Sequence, residues 1–322
     1  MVSKKIVVIG GGTGTFQVLT GLKKYDVELS AVISMCDSGG STGRLRKELG
    51  VLPPGDARRA ILALSDLPFA QRTLEEVFNF RFEKGHELIG HSVGNILLAA
   101  LVQITGSMDR AIEAAAKILN ASGNVYPVTL DKTDLVAILS DGTRIHGESN
   151  IDMRDFKLEY SIKSVFLTPR AKVFIKAFKA IQQADLIILG PGDLYTSIVP
   201  TLLVEGVNNA ITKSKGKLVY VVNLMNKRGE TDGFYASDFV ETIKKYLGDS
   251  ENKLRYIIVN KNRVVSKGKI ASWYRHYGSR PVKNNLDDKK LNLKVVSGSF
   301  VDTTTFFRHH PAKLAKAIIS LL

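Results

Sequence analysis

The sequence predicts an α/β protein with a doubly wound, mostly parallel β-sheet and a small antiparallel insertion. Short apolar runs suited to buried strands alternate with amphipathic stretches of helical length along the 322 residues. Glycine-rich turns follow several of the apolar runs, where such a sheet joins a strand to a helix. Short strands in which apolar and polar residues alternate are predicted only in residues 125–167.

The apolar runs define the predicted strands, and stretches with apolar residues at three- and four-residue steps define the predicted helices. The predicted parallel strands are residues 5–9, 29–35, 185–189, 217–223, 255–259 and 294–297. The predicted helices are residues 16–24, 56–64, 74–80, 93–104, 108–119, 171–182, 236–246 and 313–321.

The segment 125–167 is predicted to form the antiparallel insertion. Short strands are expected at 125–130, 135–139 and 144–147, and Asp141-Gly142 supplies the hairpin turn between the last two. No linker rich in Pro, Ser or Gly separates this segment from the rest of the chain. We therefore expect residues 1–322 to form a single nucleotide-binding α/β domain with a β-rich insertion at about 125–167.

The composition limits the classes of protein to consider. A hydrophobic share of 44% supports a large core, no apolar run is long enough to cross a membrane, and the single cysteine, Cys36, cannot form an internal disulfide. These features predict a cytoplasmic protein without membrane insertion. The net charge of +14 raises the hypothesis of a basic nucleic-acid binder. No known nucleic-acid-binding module is present, so a basic surface on an anion-binding protein is favoured.

The glycine-rich turn after the first predicted strand is a candidate phosphate site. Glycines let the backbone approach a ligand, and the next helix offers unpaired N–H groups and the positive end of its dipole. Thr15 and Gln17 stand where G-x-G-x-x-G requires glycine, and no Lys-Ser or Lys-Thr pair follows. Ordinary NAD and ATP sites are therefore disfavoured, and a turn without a ligand is the alternative. The candidate residues are Gly11, Gly12, Thr13 and Gly14.

A second polar turn follows the second predicted strand. Its hydroxyl groups and its arginine can donate to a phosphate or carboxylate, and its glycines permit an open backbone. Asp37 stands where α/β sheets place ligand contacts, so it could hold a ribose hydroxyl or Mg²⁺, or instead cap the next helix. No other metal ligand is assigned. The candidate residues are Asp37, Gly40, Ser41, Thr42 and Arg44.

A third glycine turn follows the predicted strand 185–189. Because the carboxyl ends of parallel strands share one edge, we expect the three turns to line a common crevice. The segments 56–59 and 90–95 can reach this crevice or serve only as helix starts, and Glu230 and Asp232 are weaker candidates for acids or metal ligands. The further candidate residues are Asn95, Gly190, Gly192, Tyr195, Thr196, Ser197 and Asn223.

Nucleophilic catalysis and structural zinc find little support in the sequence. No Gly-x-Ser-x-Gly motif occurs, Cys36 has no identifiable partner base, and the six histidines lack zinc-ligand spacing. We therefore assign no catalytic residue.

Together these motifs resemble the YvcK/CofD family over nearly the whole chain. Arg44-Leu45-Arg46 and Leu194-Tyr195-Thr196-Ser197 make the chain more similar to the YvcK branch, the gluconeogenesis factors, than to the 2-phospho-L-lactate transferases of coenzyme F420 synthesis. The resemblance implies a Rossmann-like fold that binds a nucleotide at the sheet edge. It rests on residues 10–14, 37–46, 54–58, 90–95, 190–197 and 229–233.

The YvcK resemblance implies a UDP-sugar ligand, such as UDP-N-acetylglucosamine, and a role in morphogenesis and cell-wall homeostasis during gluconeogenic growth. It implies no required cofactor and no firmly assigned reaction. Cell-wall synthesis proteins and a second copy of the chain are the expected protein partners. Family residues that contact the nucleotide sugar correspond to Tyr274, an aromatic face for uracil, and Arg308, a cation for the diphosphate.

One position departs from the family pattern. Ser38 follows Asp37 where the family usually has a second aspartate, and the loss of one carboxylate weakens a site for Mg²⁺. The leading hypothesis is therefore a nucleotide-sugar-binding regulatory protein rather than an enzyme. The alternative is a metal-dependent transferase that takes a phospholactyl-type group from a GDP-linked donor, and a nucleic-acid binder is least favoured.

Overall fold

The strands and helices alternate through most of the chain. The computed structural model describes residues 3–68, 72–154, 160–261, 272, 278–287, 292–302 and 308–322. The strands in chain order are β1 (Lys4–Gly10), β2 (Val27–Ile33), β3 (Asn124–Pro127), β4 (Asp134–Leu139), β5 (Arg144–His146), β6 (Ile162–Thr168), β7 (Leu186–Leu189), β8 (Lys217–Val221), β9 (Leu254–Asn260), β10 (Lys294–Gly298), β11 (Val301–Asp302) and β12 (Arg308–His309).

The helices follow the same chain order. A π-helical turn, Leu194–Ile198, and a 3₁₀ turn, Gly248–Lys253, accompany them. The α-helices are α1 (Gly12–Leu22), α2 (Gly40–Leu49), α3 (Gly55–Leu64), α4 (Arg72–Asn79), α5 (Val93–Thr105), α6 (Met108–Ile118), α7 (Glu148–Asp152), α8 (Ile175–Gln183), α9 (Val199–Leu202), α10 (Val207–Lys213), α11 (Ala236–Leu247) and α12 (Pro311–Ile319).

The central sheet has seven parallel strands in the order β10-β9-β8-β7-β1-β2-β3. The chain fills the sheet outward from β1 to β3, then returns to the centre and fills outward from β7 to β10. In doubly wound sheets this reversal leaves a crevice at the carboxyl ends of the two central strands. Here those ends are Gly10 in β1 and Leu189 in β7, and a glycine-rich turn follows each.

The sequence explains why β1 and β7 lie at the centre. Ile6, Val8 and Ile9 of β1 are fully buried, as are Ile187 and Ile188 of β7. Consecutive apolar residues of this kind are typical of parallel strands covered on both faces.

A small antiparallel sheet, in the order β5-β4-β6, forms the insertion. Its predicted hairpin is present, since Gly142 donates its N–H to the carbonyl of Leu139 (3.0 Å). The prediction that residues 125–130 belong to this sheet was wrong: β3 pairs in parallel with β2, with Val125 opposite Ala31, and the antiparallel strands begin at Asp134. Alternation alone does not distinguish an edge strand of a parallel sheet from a hairpin strand.

The predicted fold class is confirmed, and each predicted parallel strand and helix has a counterpart. Helix α2 and the shorter helices α7, α9 and α10 were not among the predicted helices. In the part of the chain that the structure describes, no helix has both the length and the apolar composition needed to cross a bilayer.

Candidate functional site

Three turns meet at the carboxyl edge of the central sheet. The turn after β1 contacts the end of β2, where Ser34 donates its N–H to the carbonyl of Gly10 (3.1 Å). The turn after β7 is joined to β1 through the N–H of Gly190 and the carbonyl of Ile9 (3.0 Å). A side chain on Gly14 would overlap the carbonyl of Pro191, so glycine allows the two turns to touch. The crevice expected at the reversal of strand order is therefore built from these turns.

Asp56, in the first turn of α3, hydrogen-bonds the first glycine turn. Its Oδ1 accepts hydrogen bonds from the N–H of Gly12 (2.8 Å) and from Arg59 (3.0 Å), and a side chain on Gly11 would overlap its carboxylate. Burial raises the pKa of Asp56 to about 6; Arg59 opposes the rise and Asp37 adds to it. Asp56 lies in the first turn of α3 without capping that helix, and its carboxyl group instead satisfies an N–H at the start of α1.

A first cleft of about 470 Å³ opens above these turns. Helices α1 and α2 both begin at glycines that line it, Gly12 and Gly40, so N–H groups without a partner inside either helix border the cleft. The predicted residues that line the first cleft are Gly12, Thr13, Asp37, Gly40, Ser41, Thr42, Asn95, Thr196 and Ser197.

A chain of buried polar side chains borders the first cleft. Arg58 Nε donates to Asn95 Oδ1 (3.0 Å), Asn95 Nδ2 donates to Ser41 Oγ (3.1 Å), and Ser41 Oγ lies 2.9 Å from His91 Nδ1. Each of these residues is at most 5% exposed. Burial lowers the pKa of Arg58 to about 10, and burial together with Arg44 lowers the pKa of His91, so the imidazole is neutral near pH 7.

Two acidic residues of the insertion, Glu148 and Asp152 of α7, line one side of the first cleft. Helix α7 presents Glu148, whose carboxylate accepts a hydrogen bond from the N–H of Ser38 (3.2 Å), while the Ser38 hydroxyl accepts one from the N–H of Ser149 (2.9 Å). Burial and the nearby Asp37 raise the pKa of Glu148 to about 8. Glu148 thus brings a carboxyl group close to Asp37, beside Ser38.

Lys227 lies among three carboxylates, one of which is Asp152 of α7. Its ammonium group contacts Asp152, Asp193 (2.6 Å) and Glu230 (2.8 Å), and the oxygens of these acids lie within 4.8 Å of one another. Burial opposes the charge on Lys227, but the three acids outweigh it and hold its pKa well above the usual value. Glu230 also accepts a hydrogen bond from Thr196 (3.0 Å), which ties the cluster to the turn after β7.

A second cleft, of about 570 Å³, lies on the other side of Asp193 and joins the first cleft at Thr13. Asn223, just after β8, holds the turn after β7 in place: its Nδ2 donates to the carbonyl of Gly192 (2.8 Å) and its Oδ1 accepts from the Gly192 N–H (3.4 Å). The predicted residues that line the second cleft are Thr13, Gly14, Gly192, Asn223 and Arg308.

Positive charge also collects beside Thr13. Arg59, Arg81 and Arg308 line a depression of about 530 Å³ together with the ring of Phe16. The guanidinium groups come from α3, from the segment after α4 and from β12, which are far apart in the chain. Glu75 and Glu76 line the same depression and Arg59 pairs with Asp56, so acidic groups offset part of this positive charge.

Several predicted residues do not line either cleft. Gly11 and Gly190 are buried beneath the turns, and Tyr195 is only 5% exposed, packed in the core. Arg44 instead donates to the carbonyl of Ile89, because α2 directs its side chain toward the segment before α5. Tyr274 lies outside the described residues.

Other cleft residues were missed. Glu148, Ser149, Asp152 and Arg81 line the first cleft, and Lys227 lines the second. The acids of α7 belong to the insertion, which strand and helix patterns do not connect to the sheet edge. Lys227 follows Asn226 in a polar stretch after β8. Its place just beyond a parallel strand was the sequence feature that could have identified it as a site residue.

The fold and the crevice define a doubly wound α/β protein with a polar, glycine-lined site at the reversal point of its sheet. A sequence profile described as 2-phospho-L-lactate transferase CofD matches residues 6–301, and the chain belongs to this family, as predicted.

Its relatives include proteins named gluconeogenesis factor. The one from Halalkalibacterium halodurans is 39% identical over 321 residues, 99% of this chain and 97% of that protein. The one from Bacillus subtilis is 38% identical over 323 residues, 99% of this chain and 98% of that protein. A crystal structure of a protein from Bacillus halodurans superimposes with a TM-score of 0.91 at 39% identity, covering 98% of this chain and 99% of that one.

Proposed function

We propose that this protein binds a nucleotide sugar of the UDP-N-acetylglucosamine type. The observation that carries this proposal is the junction at Thr13, where the first and second clefts meet over the glycine turns. A ligand that fills both clefts needs two bulky ends joined by a compact anionic group. A nucleoside diphosphate sugar has this shape, and clefts of about 470 and 570 Å³ suit its two ends.

The charges favour one orientation of the ligand. The diphosphate would lie at the start of α1, where the helix dipole and Arg308 both favour negative charge. The nucleoside would occupy the second cleft, with Tyr274 as the platform for uracil that the family resemblance implies. The sugar would occupy the first cleft, which is richer in carboxylate, hydroxyl and amide groups that hydrogen-bond sugar hydroxyls.

The regulatory part of the proposal rests on the family. Relatives that match nearly their whole length are named gluconeogenesis factors. We propose that ligand binding reports the supply of a cell-wall precursor in the cytoplasm and adjusts wall synthesis and cell shape during gluconeogenic growth. The partners would be proteins of wall synthesis and a second copy of this chain, with no cofactor required.

Calorimetric titration tests the ligand class. The protein is titrated with UDP-N-acetylglucosamine, GDP and single-stranded RNA, each with and without Mg²⁺. We expect saturable binding of the UDP-sugar and weaker binding of the others. Failure to bind the UDP-sugar would reject the proposal, and tight RNA binding that weakens steeply with salt would favour a nucleic-acid binder.

The second candidate function is a transferase that uses a GDP-linked donor and Mg²⁺. The match to the CofD profile favours it, and so does the pair formed by Asp37 and Glu148. Two carboxylates suit a hard cation, which would supply charge neutralisation for a phosphoryl group and offset the burial and the repulsion by Asp37 that raise the pKa of Glu148. The cluster of Lys227 fits a metal less well, since its ammonium already occupies the position between the acids. Mg²⁺-dependent binding of GDP that is lost in Asp37→Asn would support this candidate.

A further inference from the structure

We infer that the first cleft selects a neutral sugar over a sugar acid, and that Asp152 and Asp193, held by Lys227, make this selection. The inference rests on the proposed function and specifies the class of sugar that the ligand carries. Both aspartates line the first cleft, and their side chains are 34% and 46% exposed, so a sugar bound there can reach them.

Glu230, the third acid that contacts Lys227, has no oxygen left for a ligand. Its side chain is 1% exposed, and its Oε1 contacts Lys227 and accepts a hydrogen bond from Thr196. Its Oε2 accepts a hydrogen bond from the N–H of Tyr195 (3.2 Å). Glu230 therefore anchors the ammonium group from inside the protein.

Asp152 and Asp193 each give Lys227 one oxygen and keep the other. Oδ1 of Asp152 contacts the ammonium group and is buried, so the exposed oxygen of that carboxylate is Oδ2. Oδ2 of Asp193 lies 2.6 Å from the ammonium nitrogen, and its Oδ1 has no hydrogen-bond donor among the described residues. Each aspartate thus keeps an oxygen that can accept a hydrogen bond but, when ionised, can donate none.

The backbone around Lys227 keeps this arrangement in place. The N–H of Lys227 donates to Thr231 Oγ1 (2.9 Å), and its carbonyl accepts from the N–H groups of Glu230 (3.1 Å) and Thr231 (2.9 Å). The ammonium group therefore joins the insertion, which provides Asp152, to the turn after β7, which provides Asp193. Lys227 acts as a positioning residue for the two aspartates.

The charges on this side of the first cleft disfavour an anionic sugar. One ammonium group contacts three carboxylates, which leaves an excess of negative charge. The rest of the lining has equal numbers of arginines and acids, and protonation of Glu148 below its pKa of about 8 leaves one arginine charge to offset part of the excess. The arginines are Arg58, Arg59 and Arg81, and the acids are Asp37, Asp56 and Glu148.

The arginines and the two aspartates lie toward different sides of the first cleft. All three arginines also line the depression that contains Phe16, whereas Asp193 also lines the second cleft. Two of the arginines are engaged as well, since Arg58 donates to Asn79 (2.8 Å) and Arg59 pairs with Asp56 (3.0 Å). The free oxygens beside Lys227 are therefore not neutralised by a neighbouring guanidinium group.

A neutral sugar suits these oxygens better than a sugar acid. Its hydroxyl groups donate hydrogen bonds to Asp152 and Asp193, whereas a carboxylate has no proton to donate and is repelled by both. In a cleft of about 470 Å³, a carboxylate on the sugar lies within roughly 10 Å of the two aspartates, the distance over which salt at about 0.1 M screens charges.

Two ligands that differ at one carbon test the selection. In UDP-N-acetylglucosaminuronate a carboxylate replaces the C6 hydroxymethyl group of UDP-N-acetylglucosamine. Titration calorimetry of the wild-type protein at about pH 7.5, without divalent cations, gives the two dissociation constants. We expect the neutral ligand to bind about tenfold more tightly or better. Equal affinities, or tighter binding of the uronate, would overturn the inference.

Two nearly isosteric variants test the residues. Asp152→Asn and Asp193→Asn each remove one negative charge and should each lower the ratio of the two dissociation constants about threefold or more. A merely structural role would weaken both ligands by the same factor and leave the ratio unchanged. Asp26→Asn is the matched control, because this exposed aspartate precedes β2 at the end of the strand opposite the clefts, and its ratio should equal that of the wild type.

The results separate this inference from the proposed function. If the wild-type protein binds UDP-N-acetylglucosamine but both aspartate variants keep its ratio, at matched melting temperatures, the inference is wrong and the proposed function stands. If the wild-type protein binds neither ligand, both are rejected. The wild-type ratio requires no variant, so the selection can be refuted even if an aspartate variant fails to fold.

Discussion

The carboxyl group of Asp56 accepts a hydrogen bond from the N–H of Gly12 at 2.8 Å, although 44 positions separate the two residues in the chain. This contact joins α3 to the start of α1 and holds the first glycine turn against α3. The turn therefore depends on a residue outside its own motif.

Replacing Asp56 should show which atom supports the turn. We expect Asp56→Ala to be less stable than Asp56→Asn by about 1–2 kcal/mol, because the amide oxygen can still accept from Gly12. Urea unfolding gives the two free energies. Asp26→Ala, at an exposed aspartate, is the control and should change little. Equal stabilities of the two Asp56 variants would contradict this role.

Glu148 should make stability depend on pH. Its pKa is about 8 in the folded protein against an ordinary 4.5, so ionisation costs stability, and stability falls as the pH rises between these values. Glu148→Gln removes this titration. Its gain in unfolding free energy over the wild type should therefore be larger at about pH 8 than at about pH 5. Glu251→Gln, at an exposed glutamate, is the control, and an equal gain at both pH values would refute the prediction.

Gly14 should tolerate no side chain. A Cβ there would overlap the carbonyl of Pro191, whereas the nearest atom to a Cβ on Gly39 is 3.6 Å away. We expect Gly14→Ala to lose roughly 1–3 kcal/mol of unfolding free energy and Gly39→Ala to lose much less. Thermal unfolding of the two variants makes the comparison. Similar melting temperatures of the two variants would contradict the close contact between Gly14, in the turn after β1, and Pro191, in the turn after β7.

Lys227 should be replaceable by a divalent cation. Lys227→Met removes the ammonium group that contacts three carboxylates, one of them the Glu230 side chain with 1% exposure, and we expect a loss of about 3–5 kcal/mol. Ca²⁺ or Mg²⁺ should then raise the melting temperature of the variant more than that of the wild type. Lys244→Met, which breaks a surface pair with Glu241, is the control and should lose at most about 1 kcal/mol. No difference in cation response would exclude a cation site among these acids.

Arg308 should contribute to ligand binding and not to folding. Its side chain is exposed and lines the second cleft, so Arg308→Ala should weaken binding of UDP-N-acetylglucosamine about tenfold or more while the melting temperature stays the same. Titration calorimetry and thermal unfolding give the two readouts. Arg255→Ala, on an exposed position of β9, controls for the loss of one positive charge. Unchanged affinity in Arg308→Ala would refute its assignment.

The sheet could be predicted because each strand is marked by an apolar run that is continuous in the sequence. The buried runs of β1 and β7 and the glycines that follow them are contiguous in the chain, so the fold class and the meeting of the turns could be inferred. The YvcK/CofD motifs also identified the family. Arg44 and Tyr195 stood in the right motifs, but side-chain direction depends on helix geometry that a motif does not state.

The rest of the site depends on long-range contacts. Glu148 reaches Asp37 only because a separate antiparallel sheet delivers α7 to the edge of the central sheet. Lys227 contacts Asp152 of the same helix, α7, although the two residues are 75 positions apart in the sequence. No periodicity links such residues, and only the packed structure brings them together.

A crystal structure of the protein with UDP-N-acetylglucosamine would show directly whether the ligand spans the two clefts. We expect the diphosphate over Thr13 within hydrogen-bond distance of Arg308, the uridine in the second cleft, and the sugar in the first cleft beside Ser41. Both clefts empty at a saturating concentration of ligand, or the ligand bound elsewhere on the protein, would contradict this expectation.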